Sequence, residues 1–295
     1  MSGRGKSARS LELIEACHKI LSEIQPCSVR AVCYALFNRH LITSMAKTET
    51  NRVSRLLTAA REEDLIRWDW IVDETRSEEA LPTWDEPEDY AHAVTHGYRR
   101  NKWLVQRDRV VVWSEKGTVR GTVKPVLDRY EVPFTVMHGH TSATVVHDIA
   151  KTEDARPLVA LYIGDFDPSG MHMSDIDLPR RLVRYGADRI RVRRIGLVKK
   201  DLRLASVRAS IFSVNTKTSD SRWRWFRATH GDQCAELDAL PPPILRQRLE
   251  TEIRGHIDFD SWDRYVTAEA VERESIVAAV SRWRRFDALA AVGER

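Results

Sequence analysis

The stretch Leu158-Val-Ala-Leu-Tyr-Ile-Gly-Asp-Phe-Asp-Pro-Ser-Gly170 most restricts what this chain can fold into. Residues 158–164 are mostly apolar, which predicts a short strand buried on both faces, as inside a parallel sheet. Two carboxylates, Asp165 and Asp167, follow at once, and Pro168, Ser169 and Gly170 then break the chain. Residues two apart on an extended chain point the same way. Asp165 and Asp167 therefore aim at one point beyond the carboxyl end of the strand, where open α/β sheets place their sites. Close carboxylates repel unless a cation lies between them, and hard oxygen donors suit magnesium. An Asp-rich turn that only ends a strand has a similar composition, but the neighbouring segments favour the first reading.

Those segments alternate. Val110-Val-Val-Trp113 reads as a strand, residues 118–130 as a helix weakened by Gly121 and Pro125, and Phe134-Thr-Val-Met137 as a second strand. A helix over 142–151 leads to the strand at 158–164. A further helix over 172–185 leads to a strand at 189–195. Alternating β and α elements imply a parallel sheet with right-handed crossovers. Glu115 follows the first strand as the aspartates follow the third, so all three acids converge on one sheet edge, with Asp175 and Asp177 nearby. That is a candidate Mg2+ site for phosphoryl chemistry. Lys116, next to Glu115, joins the catalytic candidates.

The 295 residues suffice for two domains, and 42% hydrophobic with 31% charged residues is an ordinary soluble composition. The net charge of +4 says little about partners. Cys17, Cys27, Cys33 and Cys234 include no Cys-x-x-Cys pair and thus no zinc spacing. His138, His140, His172 and His230 are scattered and read as none of them metal ligands. No signal peptide or membrane-spanning run is present, and a cytoplasmic protein with reduced thiols is expected.

Residues 1–10 form a basic tail. Leu11, Ile14, Cys17, Leu21 and Ile24 then recur at helical spacing until Pro26. Ser28 is a candidate N-cap for a second helix. A third helix fits residues 49–65, with Arg52, Arg55 and Arg61 outward, and residues 65–73 suit a hairpin or wing. Three helices and a β-wing describe a winged-helix domain over 11–77, a fold that places its third helix in the DNA major groove. Tyr34 follows Arg30 by four residues, on the same helix face. A phenol used as nucleophile needs such a cation; a half-buried structural tyrosine has the same spacing. Acidic residues with Pro82 and Pro87 mark a linker over 78–105.

Glu115 at one strand end and Asp165-Phe-Asp167 two crossovers later resemble the Toprim domain of topoisomerases, DnaG-type primases, OLD-type nucleases and meiotic double-strand-break proteins. Gly164-Asp-Phe-Asp-Pro-Ser-Gly170 is most similar to the version in the topoisomerase VI A subunit and its meiotic relatives. In that group a winged helix carries the catalytic tyrosine in an Arg-x-x-Tyr-Tyr-like motif. Arg30-Ala-Val-Cys-Tyr34 is similar, with Cys33 at the first tyrosine position and Tyr34 at the second. The chain also resembles prokaryotic, often mobile-element, proteins through Asp73-Glu-Thr-Arg76, Lys217-Thr-Ser-Asp-Ser-Arg222 and Glu236-Leu-Asp-Ala-Leu240. The resemblance implies an N-terminal winged helix, a Rossmann-like Toprim domain over 106–215 and a mostly helical C-terminal extension over 216–295.

It also implies magnesium-dependent cleavage of double-stranded DNA, with Glu115, Asp165 and Asp167 at the metal. In one route Tyr34, beside Arg30, attacks and becomes 5′-linked to DNA, in a homodimer where the tyrosine of one subunit meets the Toprim domain of the other. In a second, water attacks as in Toprim nucleases of plasmid-defence complexes, and Tyr34 is incidental. The chain contains no ATPase segment, so strand passage needs a separate ATPase partner. A non-catalytic winged-helix DNA binder is the competing reading, and RNA cleavage a third.

Arg189, Arg191, Arg193, Arg194, Lys199, Lys200, Arg203 and Arg208 form a basic strip opposed only by Asp201, and Arg222-Trp-Arg-Trp-Phe-Arg227 interleaves guanidinium groups with rings. Such groups neutralise phosphates and stack on bases. Arg191, Arg193, Lys199, Lys200, Arg222 and Arg224, with Arg52, Arg55 and Arg61, are the nucleic-acid candidates. Glu236 and Asp238 either extend the metal site or position Arg222 by an ion pair, and a structural role is favoured. Residues 267–292, with Trp283, read as an amphipathic, Ala-rich helix or pair of helices that packs on the body or makes a dimer contact.

Overall fold

The computed structural model describes residues 7–72, 81–137, 143–151 and 154–280. Most of the basic tail, the Asp73–Arg76 motif, His138, His140 and Trp283 lie outside them. In chain order the helices are α1 (Ala8–Ile24), α2 (Val29–Asn38), α3 (Lys47–Glu62), α4 (Pro87–Gly97), α5 (Val119–Tyr130), α6 (Ala143–Ala150), α7 (Pro168–His172), α8 (Leu178–Arg184), α9 (Ala205–Arg208), α10 (Trp223–His230), α11 (Pro242–Arg254) and α12 (Phe259–Val280). The strands are β1 (Arg109–Ser114), β2 (Phe134–Val136), β3 (Leu158–Ile163), β4 (Ile190–Gly196), β5 (Phe212–Ser213) and β6 (Gln233–Cys234).

The fold is α/β. Strands β1 to β4 form a parallel sheet in the order β2-β1-β3-β4. Every residue of β3 is buried, as a central strand covered on both faces requires. Val111, Trp113, Ala160 and Tyr162 pack with Met173, Leu178 and Leu182 in one core cluster. Burial of each large apolar side chain there contributes about 1.5–3 kcal/mol. Helix α11 packs against α5 and β4. Helix α5 runs through both Gly121 and Pro125. A Cβ at Gly121 would lie 2.3 Å from Val72 Cγ2, so the glycine admits a close crossing that a larger residue would block.

The chain divides into two compact units, one within Met1–Arg76 and Asp108–Gly255, the other within Ser77–Arg107 and His256–Arg295. The N-terminal helices and the sheet, read from sequence as separate modules, lie in the first. Helices α1, α2 and α3 enclose their own core of Leu13, Cys17, Leu21, Val32, Leu36, Val53 and Leu57 among others. Ser28 caps α2 as its sequence predicts, its hydroxyl accepting from the Ala31 amide.

No hairpin forms over 65–72. Trp68–Trp70 is a single 3₁₀ turn, and the only pairing there is one parallel bridge between Cys27 and Ile71. The Arg67 guanidinium grips the Asp69 carboxylate at 2.9 and 2.8 Å across this turn, a local pairing that β propensity does not register.

In the second unit, part of the stretch read as a linker is helical (α4), and it packs with α12. Lys102 and Glu269 form a buried ion pair at 2.5 Å, and Arg273 also binds Glu269. All four cysteines are free and buried. No described helix is long and apolar enough to cross a membrane.

Candidate functional site

The site lies where β1 and β3 end side by side. Ser114 is in register with Ile163, so Glu115 and the Gly164–Asp167 loop leave the same edge of the sheet on neighbouring strands. The Asp167 carboxylate caps α7 by accepting the Gly170 amide at 2.8 Å. Asp165 Oδ1 accepts the Leu237 amide at 2.8 Å. Between them Phe166 is fully buried and bridges to Ala235 through paired backbone hydrogen bonds. Gly170 makes this tight loop feasible: a Cβ there would sit 2.3 Å from the Asp165 carbonyl oxygen.

Glu115 is the most frustrated of the three acids. Its Oε2 is buried without a hydrogen-bond partner. Burial, then the charges of Asp165 and Asp167, push its carboxyl above the usual carboxylate range, against the opposing pull of Lys116 and Arg194. Glu115 thus feels the charges of both aspartates across the two neighbouring strand ends.

Lysines balance that centre. Lys116 Nζ lies 2.8 Å from Asp165 Oδ1 and 3.2 Å from Asp238 Oδ2. Lys217 Nζ lies 3.1 Å from Asp167 Oδ2. Burial opposes the charge on Lys116, but Asp238 and Asp165 outweigh it and raise the ammonium well above its ordinary value. Among the described residues, no three or more His, Cys, Asp or Glu stand close enough to share an ion. Carboxylates nonetheless suit a hard cation, and one buried oxygen, Glu115 Oε2, has nothing to accept.

The chain matches no protein-family model, no curated protein and no solved structure.

Arg194 organises the loop from beneath. It belongs to the basic strip by sequence, yet its guanidinium donates to the carbonyls of Gly164, Asp165, Gly170 and Leu197 and to the Ser174 hydroxyl. It also lies 5.4 Å from the Tyr162 ring centroid. Tyr162 pairs with Arg194 but Ile163 with Gly196, so an extra residue bulges β4. A bulge re-aims side chains, and Arg194 is spent on structure rather than on a ligand.

Arg30 and Tyr34 share a face of α2, with the guanidinium 5.7 Å from the ring centroid. Arg30 is not free for a phenolate. It binds Glu236 Oε2 through Nε at 2.7 Å and through Nη2, and lies 3.8 Å from Asp238. Tyr34 is 5% exposed. Burial first, then the Glu236 charge, raise its phenol well above its ordinary value, despite the opposing Arg30.

Glu236 and Asp238 thus pair with Arg30, Ser28 and Lys116. Arg222, the partner weighed for them, binds Asp220 at 2.7 Å instead. Asp220 first, and then more weakly Asp167 and Glu115, raise the Arg222 guanidinium above its ordinary value despite burial. The other nucleic-acid candidates are dispersed. Arg52 pairs with Glu49, Arg61 lies over Trp68, Arg193 pairs with Glu252 and Arg224 lies over Trp223. Arg55, Arg191, Lys199 and Lys200 are exposed. His172 and His230 both pack on Trp225.

Lys217, Arg194 and Ser28 are the participants for which the sequence reading holds no such role. Lys217 falls in a motif quoted for the resemblance, but nothing in that motif shows an ion pair with Asp167.

Proposed function

We propose that the chain is a magnesium-dependent DNA-cleaving protein of the Toprim type, its N-terminal helices serving as the winged-helix-like DNA-binding part. The observation that carries this reading is the buried, unpartnered Glu115 Oε2, on a residue that feels the charges of Asp165 and Asp167 from an adjacent parallel strand end. Glu115, Asp165 and Asp167 would hold Mg2+, which supplies charge stabilisation at a scissile phosphodiester when bound. Lys116 is paired with Asp165 and is suited to neutralising phosphate oxygens.

Of the two cleavage routes, attack by water has the better support. A nucleophilic Tyr34 needs an exposed phenol and a free cation, whereas this phenol is buried and Arg30 is held by Glu236. The homodimer with tyrosine in trans and the separate ATPase partner belong to the tyrosine route. A specific observation favours the second function, a non-catalytic DNA binder: both aspartates are already neutralised by Lys116 and Lys217.

Supercoiled plasmid with magnesium separates these readings. Nicking or linearisation is expected from the native chain and from Tyr34→Phe, and is lost in Asp165→Ala and Asp167→Ala. Detergent-trapped protein on DNA 5′ ends, absent in Tyr34→Phe, would restore the tyrosine route. Salt-sensitive DNA binding without cutting would support the binder.

A further inference from the structure

The turn Leu237–Ala239 and its N-cap Glu236 carry two carboxylates into a set of groups that would suit a phosphodiester. Asp238 Oδ1 accepts the Ser28 hydroxyl at 3.1 Å, and Asp238 Oδ2 lies 3.2 Å from Lys116 Nζ and 3.8 Å from Arg30 Nε. Glu236 Oε2 takes the Arg30 fork. A hydroxyl, an ammonium and a guanidinium fork converging on paired anionic oxygens is the donor set that phosphate oxygens also recruit. The same residues, with Thr118 and Val72, line an open cleft of about 460 Å³, so the donors are reachable from solvent.

We propose that Glu236 and Asp238 are internal stand-ins for a DNA backbone phosphate, occupying a subsite built by Ser28, Arg30 and Lys116. The inference rests on the reading that double-stranded DNA is the substrate, and adds to it a phosphate subsite beside the acidic centre together with the groups that mask it. Two cations there face two carboxylates, so the subsite attracts no further anion until the turn yields. Arg30 and Glu236 are partly exposed, at 45% and 29%, and exposed ion pairs are weak enough to exchange with a competing anion. The turn is also tied to the acidic centre, since the Leu237 amide donates to Asp165. Displacement of the turn by a phosphate would therefore be felt at Asp165.

The test is binding of a short duplex oligonucleotide in EDTA, where no metal-dependent cutting occurs, by fluorescence anisotropy at fixed salt. Glu236→Gln and Asp238→Asn keep shape and remove charge. Each is expected to bind about three- to fivefold tighter than the native chain, the scale of one partly exposed ion pair. Adding Arg30→Gln to Glu236→Gln should abolish the gain. A gain in either folded variant, cancelled by Arg30→Gln, supports the subsite. Should Asp238→Asn melt early, Glu236→Gln alone carries the test. Unchanged or weaker binding in every folded variant, a gain that survives Arg30→Gln, or no duplex binding at all overturns it. A plasmid left uncut in magnesium while the gain persists overturns the catalytic reading and leaves the subsite standing.

Discussion

Lys116 Nζ lies 2.8 Å from Asp165 Oδ1, so the first aspartate of the loop already holds a positive charge. A divalent cation at this edge has to compete with that ammonium. Lys116→Gln is therefore expected to bind magnesium more tightly, by about fivefold for one partly buried pair. Calorimetric titration checks this, and unchanged affinity would mean that the ion and the ammonium do not share Asp165.

The Glu115 carboxyl titrates above its ordinary value of 4.5 because burial and two aspartates disfavour its charge. The folded state then binds more protons than the unfolded state between 4.5 and the raised value. Stability falls as pH rises through that window. Glu115→Gln should remove this slope and raise the melting temperature at neutral pH in EDTA. A variant that melts below the native chain at pH 7, or that keeps the slope, would show that the charge is not strained.

Gly170→Ala should be costly, because its Cβ would meet the Asp165 carbonyl at 2.3 Å. The backbone must shift, at about 1–3 kcal/mol. Gly117→Ala, whose Cβ meets only Val136 at 3.8 Å, is the matched control. Urea melts of the two variants should differ in midpoint, and equal midpoints would contradict the tight loop.

Arg194→Lys should destabilise by about 2–4 kcal/mol, since an ammonium cannot satisfy four carbonyls and a hydroxyl from that position. Denaturant unfolding measures the loss, and a variant within 0.5 kcal/mol of native, roughly the effect of a surface change, would remove Arg194 from its structural role.

The sheet was legible because its strands are apolar runs between turn signals. That Glu115 and the Asp165–Asp167 loop leave one sheet edge was legible because β1 and β3 are adjacent parallel strands ending in register. Arg194 was not legible, because a bulge breaks the alternation by which side chains are assigned to faces. The partners of Glu236 and Asp238 were hidden for a different reason. Ser28 and Arg30 lie more than 200 residues away in the chain, and only the tertiary fold brings them together. No hairpin forms over 65–72 because aromatic β-formers are equally at home in a turn closed by Arg67 and Asp69.

A shared cation site requires Glu115, Asp165 and Asp167, from two strand ends, to act on one ion. Manganese titration followed by electron paramagnetic resonance tests it most directly, with manganese standing in for magnesium at oxygen ligands. One ion should bind the native chain and be lost in each of Glu115→Ala, Asp165→Ala and Asp167→Ala, while Glu15→Gln on α1 leaves it unchanged. Binding that survives all three alanine variants, or no binding by the native chain, would contradict it.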